Sequence, residues 1–170
     1  LRHGEGAHLP WTCPFVLPLW LSAWWSVLGG GAEPLVAVVR NGDSIIGVAP
    51  LMIRDGTVRF LGDPDVCDYF DCLVVPGEEP LFFGALMDHL RAKGLHELDL
   101  GPVRTGSAVL DLFSKHGSLH GCHWSVGRED VVLEVDLPST WEEFLRALDA
   151  KQRHEIRRKL RRLNEAGSVR

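Results

Sequence analysis

Residues 35–61, LVAVVRNGDSIIGVAPLMIRDGTVRFL, decide the fold of this chain. Two apolar runs flank Asn41-Gly42, a strong hairpin signal because a type I′ turn needs positive φ at both central residues. Asp55-Gly56 supplies a second tight turn before another apolar run. The stretch therefore predicts three consecutive antiparallel strands, at residues 35–39, 44–53 and 57–61.

Helices and further strands are predicted on both sides of this meander. Residues 18–28 are apolar nearly all round and end at three glycines, which predicts a buried helix with a glycine stop. Pro80 opens a helical pattern over residues 80–92, and Ser107 can cap a helix over residues 108–115. Strands are expected at residues 69–75, 95–100, 120–126 and 130–135. The fold class is α/β (α+β), with a mixed, mainly antiparallel sheet flanked by helices.

A domain boundary is predicted at Leu137-Pro138-Ser139. Ser139, followed three residues later by Glu142, has the capping-box pattern and starts a helix that reaches about residue 148. A basic amphipathic helix over residues 151–166 follows, with Ile156, Leu160 and Leu163 on a stripe about 60° wide. We therefore assign residues 1–137 to a first domain and residues 138–170 to the start of a second, truncated one.

The charge of the chain is unevenly distributed. Residues 1–150 hold 10 basic and 21 acidic side chains, whereas residues 151–170 hold 8 and 2, within a net charge of -5. Such a split is typical of a basic element with its own partner, which can be an anionic ligand, nucleic acid or an acidic face of the same protein. The basic helix can also be a solvated surface, because exposed charges on helices are common.

Composition and cysteine usage indicate a globular cytoplasmic protein. The apolar share of 45% and the charged share of 24% are ordinary for such a domain. Four cysteines without a CxxC pair fit reduced thiols better than a disulfide framework. The Trp-rich stretch near the N-terminus is interrupted by Pro14 and Pro18. Its uninterrupted part, residues 19–28, is shorter than the roughly 20 residues of a spanning helix, so no membrane span is expected.

Four groups of residues resemble the CelD-like acetyltransferases. They are PFVLPLW at 14–20 with Trp24-Trp25, GVAPL at 47–51, FLG at 60–62 with Asp68-Tyr69, and LRAL at 145–148 leading into KQRHEIRRK at 151–159. That family is associated with cellulose biosynthesis, is related to the FemABX peptidyltransferases and is built from two tandem GNAT-like halves. The resemblance implies a GNAT-like first domain here and the first helices of a second one.

The resemblance also implies an activity. We expect an acyltransferase that moves an acetyl or other acyl group from acyl-CoA to an amine or hydroxyl of a small-molecule or glycan acceptor, in polysaccharide or cell-envelope metabolism. It requires no metal, and acyl-CoA would bind mainly C-terminal to residue 170, which makes this fragment inactive alone. The alternatives are a FemABX-like aminoacyl transferase, the one case in which a nucleic acid, tRNA, is expected, and a catalytically silent pseudo-GNAT binding module.

The junction that corresponds to the GNAT pyrophosphate loop departs from the family pattern. GNAT enzymes use Q/R-x-x-G-x-G/A between the fourth strand and the next helix, whereas residues 76–80 read PGEEP. Glu78 and Glu79 at a helix N-terminus satisfy the helix dipole themselves and repel phosphate. We therefore predict that the first domain does not bind acetyl-CoA in the usual way.

Candidate substrate-binding residues lie in two places. In residues 67–72, CDYFDC, an extended chain puts Cys67, Tyr69 and Asp71 on one face and Asp68, Phe70 and Cys72 on the other, so the two thiols diverge. Asp68, Tyr69 and Asp71 can line a substrate cleft, with Tyr69 a possible proton donor, or they can be turn and strand residues with satisfied hydrogen bonds. On the basic helix, Arg153 and Arg157 are candidates for an anionic substrate.

Other motifs give no site. His116, His120, Cys122 and His123 match no zinc spacing, so no metal site is predicted. Residues 104–107, RTGS, can form an anion nest, but Ser107 is more economically an N-cap. No GxSxG, P-loop or dinucleotide-binding fingerprint is present. The residues leave the catalytic base unassigned.

Overall fold

A computed structural model describes residues 9, 11, 13–116, 123–131, 133 and 135–167 of the chain. The chain forms two compact units, residues 1–130 and residues 131–170. The assignment of residues 138–170 to a second GNAT-like domain stays a prediction.

The first unit contains most of the regular structure. A short 3-10 helix, Pro14–Val16, precedes it. The helices are α1 (Pro18–Leu28), α2 (Glu79–Ala92) and α3 (Ala108–His116), and the strands are β1 (Glu33–Asn41), β2 (Ser44–Arg54), β3 (Thr57–Phe60), β4 (Leu73–Val74) and β5 (Leu98–Asp99). The three helices predicted in this part of the chain are confirmed to within one residue at each end.

The sheet is mixed and mainly antiparallel, and its path runs β1-β2-β3-β5 with β4 paired to β2. The predicted meander is confirmed: β1 pairs antiparallel with β2, and β2 with β3. The first turn is formed by Gly42-Asp43, between the paired residues Asn41 and Ser44. Only Gly42 has positive φ there, so the expected type I′ turn centred on Asn41-Gly42 is wrong. The second turn is formed by Asp55-Gly56, both with positive φ. After α2, β5 returns parallel to β3. The chain is thus a mixed α/β protein with a mostly antiparallel sheet flanked by helices.

Helix α2 covers the main core. Its buried side chains pack in one cluster with those of β2, β3 and α3. Phe82 is fully buried against β2. A Cβ atom at Gly47 would overlap the Phe82 ring, so the close approach of α2 to the sheet depends on a glycine at this position. Helix α1 contributes Trp24 to a separate cluster with Met52 and Leu61.

The strand predicted at residues 69–75 is regular only at Leu73–Val74. Phe70 instead forms an isolated parallel bridge with Val103, and its N–H donates to the Pro102 carbonyl at 2.8 Å. The predicted alternation is wrong for Cys67, which is buried in the same cluster as Phe70 and Cys72 rather than sharing a face with Tyr69. Turns before Phe70 break the period of two, because only a continuous strand keeps it.

The predicted strand at residues 95–100 is reduced to Leu98–Asp99. The strands predicted at 120–126 and 130–135 fall partly on residues 120–122, 132 and 134, which lie outside the described residues. The described residues of those two ranges lie in no strand.

The second unit contains two capped helices, α4 (Trp141–Ala147) and α5 (Ala150–Ala166). The predicted capping box at Ser139 is wrong by one residue. Thr140 is the extended N-cap: its hydroxyl accepts from the Glu143 N–H, and the Glu143 carboxylate accepts from the Thr140 N–H, both at 3.2 Å. Asp149 and Gln152 form a second box that begins α5. Within the described ranges, the helices are too short or too polar to cross a bilayer.

Candidate functional site

A cleft of about 170 Å³ in the first unit brings polar side chains together from distant parts of the chain. We call it the Tyr69 cleft. Its lining residues are Cys13, Tyr69, Phe70, Asp71, Arg104, Thr105, Gly106 and Ser107. The segment before β4 forms one wall, and the turn that leads into α3 forms another. Two of the predicted substrate-binding residues, Tyr69 and Asp71, therefore lie in one cavity.

Asp71 joins these two walls. Its Oδ1 accepts a hydrogen bond from the Cys72 N–H at 2.8 Å, and its Oδ2 accepts from the Ala108 N–H at 3.2 Å. Ala108 is the first residue of α3, so the carboxylate lies at the positive end of the helix dipole. The arrangement fixes the position of the carboxylate at the floor of the cleft.

Partial burial changes the acid–base behaviour of Asp71. Burial raises the pKa of its carboxyl above the ordinary 3.8, against the lowering effect of the Ala108 and Cys72 N–H groups and of the Arg104 charge. A desolvated carboxyl holds its proton at a higher pH than an exposed one. Asp71 can therefore exchange a proton or a hydrogen bond with a polar ligand in the cleft more readily than a surface aspartate.

Tyr69 and Arg104 form the polar rim of the cleft. The Arg104 Nη1 donates to the Tyr69 hydroxyl at 3.3 Å, and the Arg104 Cζ lies 4.8 Å from the centre of the Tyr69 ring. Phe15 packs edge-on against the same ring, with centroids 5.4 Å apart. A guanidinium held over a ring in this way is oriented by cation–π attraction. The rim thus presents a phenol oxygen and a fixed cation.

Cys13 closes the cleft from the N-terminal side. Its thiol donates to the Tyr69 carbonyl, with sulfur and oxygen 3.6 Å apart. Burial raises the pKa of this thiol, and the hydrogen bonds from nearby backbone oppose the rise. Because the thiolate is the nucleophilic form, Cys13 positions Tyr69 here and is a poor nucleophile.

Ser107 is the N-cap of α3, as predicted. Its hydroxyl accepts a hydrogen bond from the Leu110 N–H at 3.1 Å. Its own N–H donates to the Arg104 carbonyl at 3.1 Å, which closes the turn before the helix. Gly106 in this turn has φ +80°, a conformation that side chains other than glycine rarely adopt. The RTGS motif is therefore a cap that positions Arg104 at the cleft.

The other predicted substrate-binding residues do not line the Tyr69 cleft. Asp68 is exposed beside it. Arg153 and Arg157 belong to α5 in the second unit. Arg153 is half-buried and its Nη2 donates to the Leu148 carbonyl at 3.3 Å, whereas Arg157 is exposed.

An ion pair modifies the basic surface of α5. The Arg158 guanidinium donates to both carboxylate oxygens of Glu155, and Lys159 lies 3.8 Å from the same carboxylate. The hydrogen bond from Arg158 is the main cause that lowers the pKa of Glu155 to about 2. Arg157, Arg161 and Arg162 remain exposed on the helix.

Two carboxylates, those of Glu78 and Glu79, lie at the start of α2. The Gly77 N–H, two residues before the helix, donates to Glu79 Oε2 at 2.8 Å, and the side chain of the N-cap residue Glu78 makes no capping hydrogen bond. That this junction does not hold a pyrophosphate stays a prediction.

A second, larger cleft lies at the carboxyl ends of the parallel strands β3 and β5. It has a volume of about 270 Å³, and Phe70 lies in its lining. Arg59 on β3 and Asp99 on β5 bridge the strands at 3.1 Å. Ligands of α/β proteins commonly bind at such strand ends. Here Phe70 and Phe60 both line the cleft, and their rings stack with centroids 5.5 Å apart.

The sequence does not relate Cys13 or Arg104 to the Tyr69 cleft, although it marks Arg104 as part of the RTGS motif. Cys13 and Arg104 are 56 and 35 residues from Tyr69, and no local pattern relates them to it. The turn before α3 was the available signal, because an N-cap fixes where the preceding arginine lies. His120 and Cys122 of the histidine-rich segment lie outside the described residues. The part of the chain that is described contains no group of three potential metal ligands.

Comparison of the chain with protein-family models, curated protein sequences and solved structures gave no match.

Proposed function

We propose that the chain is the N-terminal part of a GNAT-type acyltransferase, which moves an acyl group from acyl-CoA to an amine or hydroxyl acceptor. The observation that carries the proposal is the path of the chain through the sheet. A helix leads into a three-stranded antiparallel meander, and β5 then returns parallel to β3 after α2. The GNAT fold shares this order, with the short strand β4 added here between β3 and α2, and the shared order supports the proposal.

In this proposal the Tyr69 cleft binds the acceptor. An amine or hydroxyl that attacks a thioester must be oriented and must lose a proton. Asp71 has a carboxyl with a raised pKa, and Tyr69 has a phenol hydroxyl beside a fixed guanidinium. Within one cavity, Asp71 offers a hydrogen-bond acceptor, the Tyr69 hydroxyl both a donor and an acceptor, and the guanidinium of Arg104 a donor. The acceptor would be a small molecule or a glycan of polysaccharide or cell-envelope metabolism.

Acyl-CoA is assigned to a part of the protein beyond this chain. Glu79 accepts a hydrogen bond from the Gly77 N–H just before α2, and the charges of Glu78 and Glu79 repel phosphate. These charges oppose binding of a nucleotide pyrophosphate at this junction of the first unit.

The carboxylate at the start of α2 equally favours a second candidate, a catalytically silent pseudo-GNAT module. Such a protein would keep the fold and bind a partner without turnover. A FemABX-like aminoacyl transferase is the remaining alternative, and it would use tRNA as the acyl carrier in place of CoA. Acyl-donor dependence separates all three.

The experiment is a CoA-release assay on the protein extended beyond residue 170, with acetyl-CoA and a panel of amine- and hydroxyl-bearing acceptors. We expect turnover with at least one acceptor. Arg104→Ala should raise KM for the acceptor about tenfold, the loss of one charged hydrogen bond, and leave KM for acetyl-CoA unchanged.

The matched control is Arg59→Ala, which removes an arginine of the other cleft and should leave both constants near wild type. Absence of CoA release with every acceptor would favour the silent module. Aminoacyl transfer from charged tRNA, without use of acetyl-CoA, would favour the FemABX-like enzyme.

A further inference from the structure

Helix α5 combines exposed leucines with a dense cationic surface. Leu160 and Leu163 are 39% and 49% exposed, and Ile156 on the same stripe is half-buried. None of the 17 residues of the helix is buried. Its basic residues are Lys151, Arg153, Arg157, Arg158, Lys159, Arg161 and Arg162, against Glu155 and Glu165. Basic helices with apolar residues on one face are typical of membrane-surface elements.

The positions of the carboxylates distinguish two faces of this helix. At about 100° per residue, the arc from Lys159 across the leucines to Arg157 spans about 160°, and within the described helix it carries no carboxylate. Glu165 lies on the opposite side, and Glu155 is bound by Arg158. Besides Ile156, Leu160 and Leu163, the arc carries basic side chains and the neutral Gln152 and Asn164. The leucine-bearing face therefore has no acidic side chain of its own, whereas the opposite face has mixed charge.

We propose that the leucine-bearing face of α5 docks on an anionic lipid surface. Leu160 and Leu163 would enter the boundary between headgroups and acyl chains, while Arg157 and Lys159 on either side would meet lipid phosphates and carboxylates. Charge complementarity supports this occupant, because the arc between Lys159 and Arg157 holds no carboxylate and the bordering Glu155 is paired with Arg158 and Lys159. The inference does not depend on the proposed acyl transfer, and it places this face on lipid rather than in the core of the second domain expected from the sequence.

A nucleic acid is a weaker fit to the same helix. Phosphates would be drawn to Arg161 and Arg162, on the side that also carries Glu165, and the exposed leucines would gain no apolar partner there. Binding to a nucleic acid depends on neutralised phosphates and is therefore insensitive to leucine truncation. Binding to a lipid surface requires both the charges and the leucines.

Co-sedimentation of the 170-residue chain with vesicles tests the proposal. We expect binding to vesicles of phosphatidylserine and phosphatidylcholine, and none to vesicles of phosphatidylcholine alone. Arg157→Gln with Lys159→Gln should weaken binding at least about tenfold, because two basic residues near an anionic lipid surface together contribute at least about that factor to the affinity. Leu160→Ala with Leu163→Ala should weaken it as well, at unchanged charge and with helix propensity retained.

The matched control is Arg161→Gln with Arg162→Gln, which removes the same charge from the opposite face. It should weaken vesicle binding about threefold or less, and circular dichroism should show the same helix content in all variants. The proposal is overturned if the chain does not bind anionic vesicles or if the leucine variant binds as tightly as wild type. It is also overturned if the double variant at residues 157 and 159 and the control at residues 161 and 162 weaken binding equally. Binding to polyuridylic acid without binding to vesicles would also overturn it.

Discussion

The Asp71 carboxylate accepts a hydrogen bond from the Ala108 N–H across 37 residues of sequence, at 3.2 Å. The bond joins the segment that carries Tyr69 to the first turn of α3, which follows the turn that carries Arg104. The two sides of the Tyr69 cleft are thus linked through a half-buried side chain. The first two predictions concern this link.

Replacement of Asp71 should destabilise the first unit. Asp71→Ala leaves the partly buried N–H groups of Cys72 and Ala108 without an acceptor, which should lower the free energy of unfolding by about 2 kcal/mol. Asp71→Asn keeps a carbonyl oxygen and should cost less. Urea unfolding measures both values, and wild-type stability of the alanine variant would show that the bond contributes nothing.

Asp71 should also make stability depend on pH in a defined direction. Burial raises the pKa of its carboxyl in the folded chain above the ordinary 3.8, so the folded state binds this proton more tightly than the unfolded state. The favourable contribution of the protonated Asp71 carboxyl to folding stability is complete below pH 3.8 and is lost as pH rises through the pKa of the folded chain. The stability of wild type relative to Asp71→Asn should therefore fall from acidic to neutral pH. A difference that rises with pH would contradict this account.

A methyl group at Gly47 should disrupt the contact of α2 with the sheet. The new Cβ would overlap the buried Phe82 ring, and overpacking of this kind costs about 1–3 kcal/mol. Thermal unfolding of Gly47→Ala should show this loss. Gly30→Ala is the matched control, because a Cβ there meets no atom within 4 Å, and it should be close to wild type.

The Glu155–Arg158 pair on α5 should be visible by titration. The hydrogen bond from Arg158 is the first cause of the Glu155 pKa of about 2. The contribution of the pair to stability is therefore complete above the ordinary pKa of 4.5 and is lost as pH falls from there through about 2. Arg158→Gln should return the Glu155 pKa toward the ordinary 4.5, as followed by carboxyl NMR shifts. An unchanged pKa in this variant would rule out Arg158 as the cause.

The N-cap residue Asp149 should stabilise helix α5. Asp149 accepts from the Gln152 N–H at 2.8 Å, and loss of such a cap costs about 1 kcal/mol. Asp149→Ala should reduce helix content by circular dichroism. Asp136→Ala, an exposed carboxylate outside any helix, serves as the control and should leave helix content unchanged.

The fold was predictable where local chemistry decides it. Gly42-Asp43 and Asp55-Gly56 form the turns of the meander. Proline, glycine or serine at the ends defines the helices of the first unit. The segment around Phe70 was not predictable, because its bridge to Val103 is set by tertiary contacts that override an apolar run. The cap of α4 was wrong by one residue because Ser139 and Thr140 each have a glutamate three residues later.

The candidate site was predictable in part for the same reason. Tyr69 and Asp71 stand out as ionisable residues in an apolar segment, and they do line a cleft. Arg104 reaches Tyr69 only through the turn that Ser107 caps, and sequence alone does not relate positions 35 residues apart. The two glutamates at the start of α2 could be recognised from the sequence alone, because the effect of a charge on a helix N-terminus is local.

Titration calorimetry with acetyl-CoA, on the 170-residue chain and on the protein extended beyond residue 170, shows which part of the protein holds the acyl donor. We predict no saturable binding by residues 1–170 and saturable binding by the extended protein. Saturable binding of acetyl-CoA to residues 1–170 would contradict the account, because it would place the acyl donor in the unit assigned here to the acceptor.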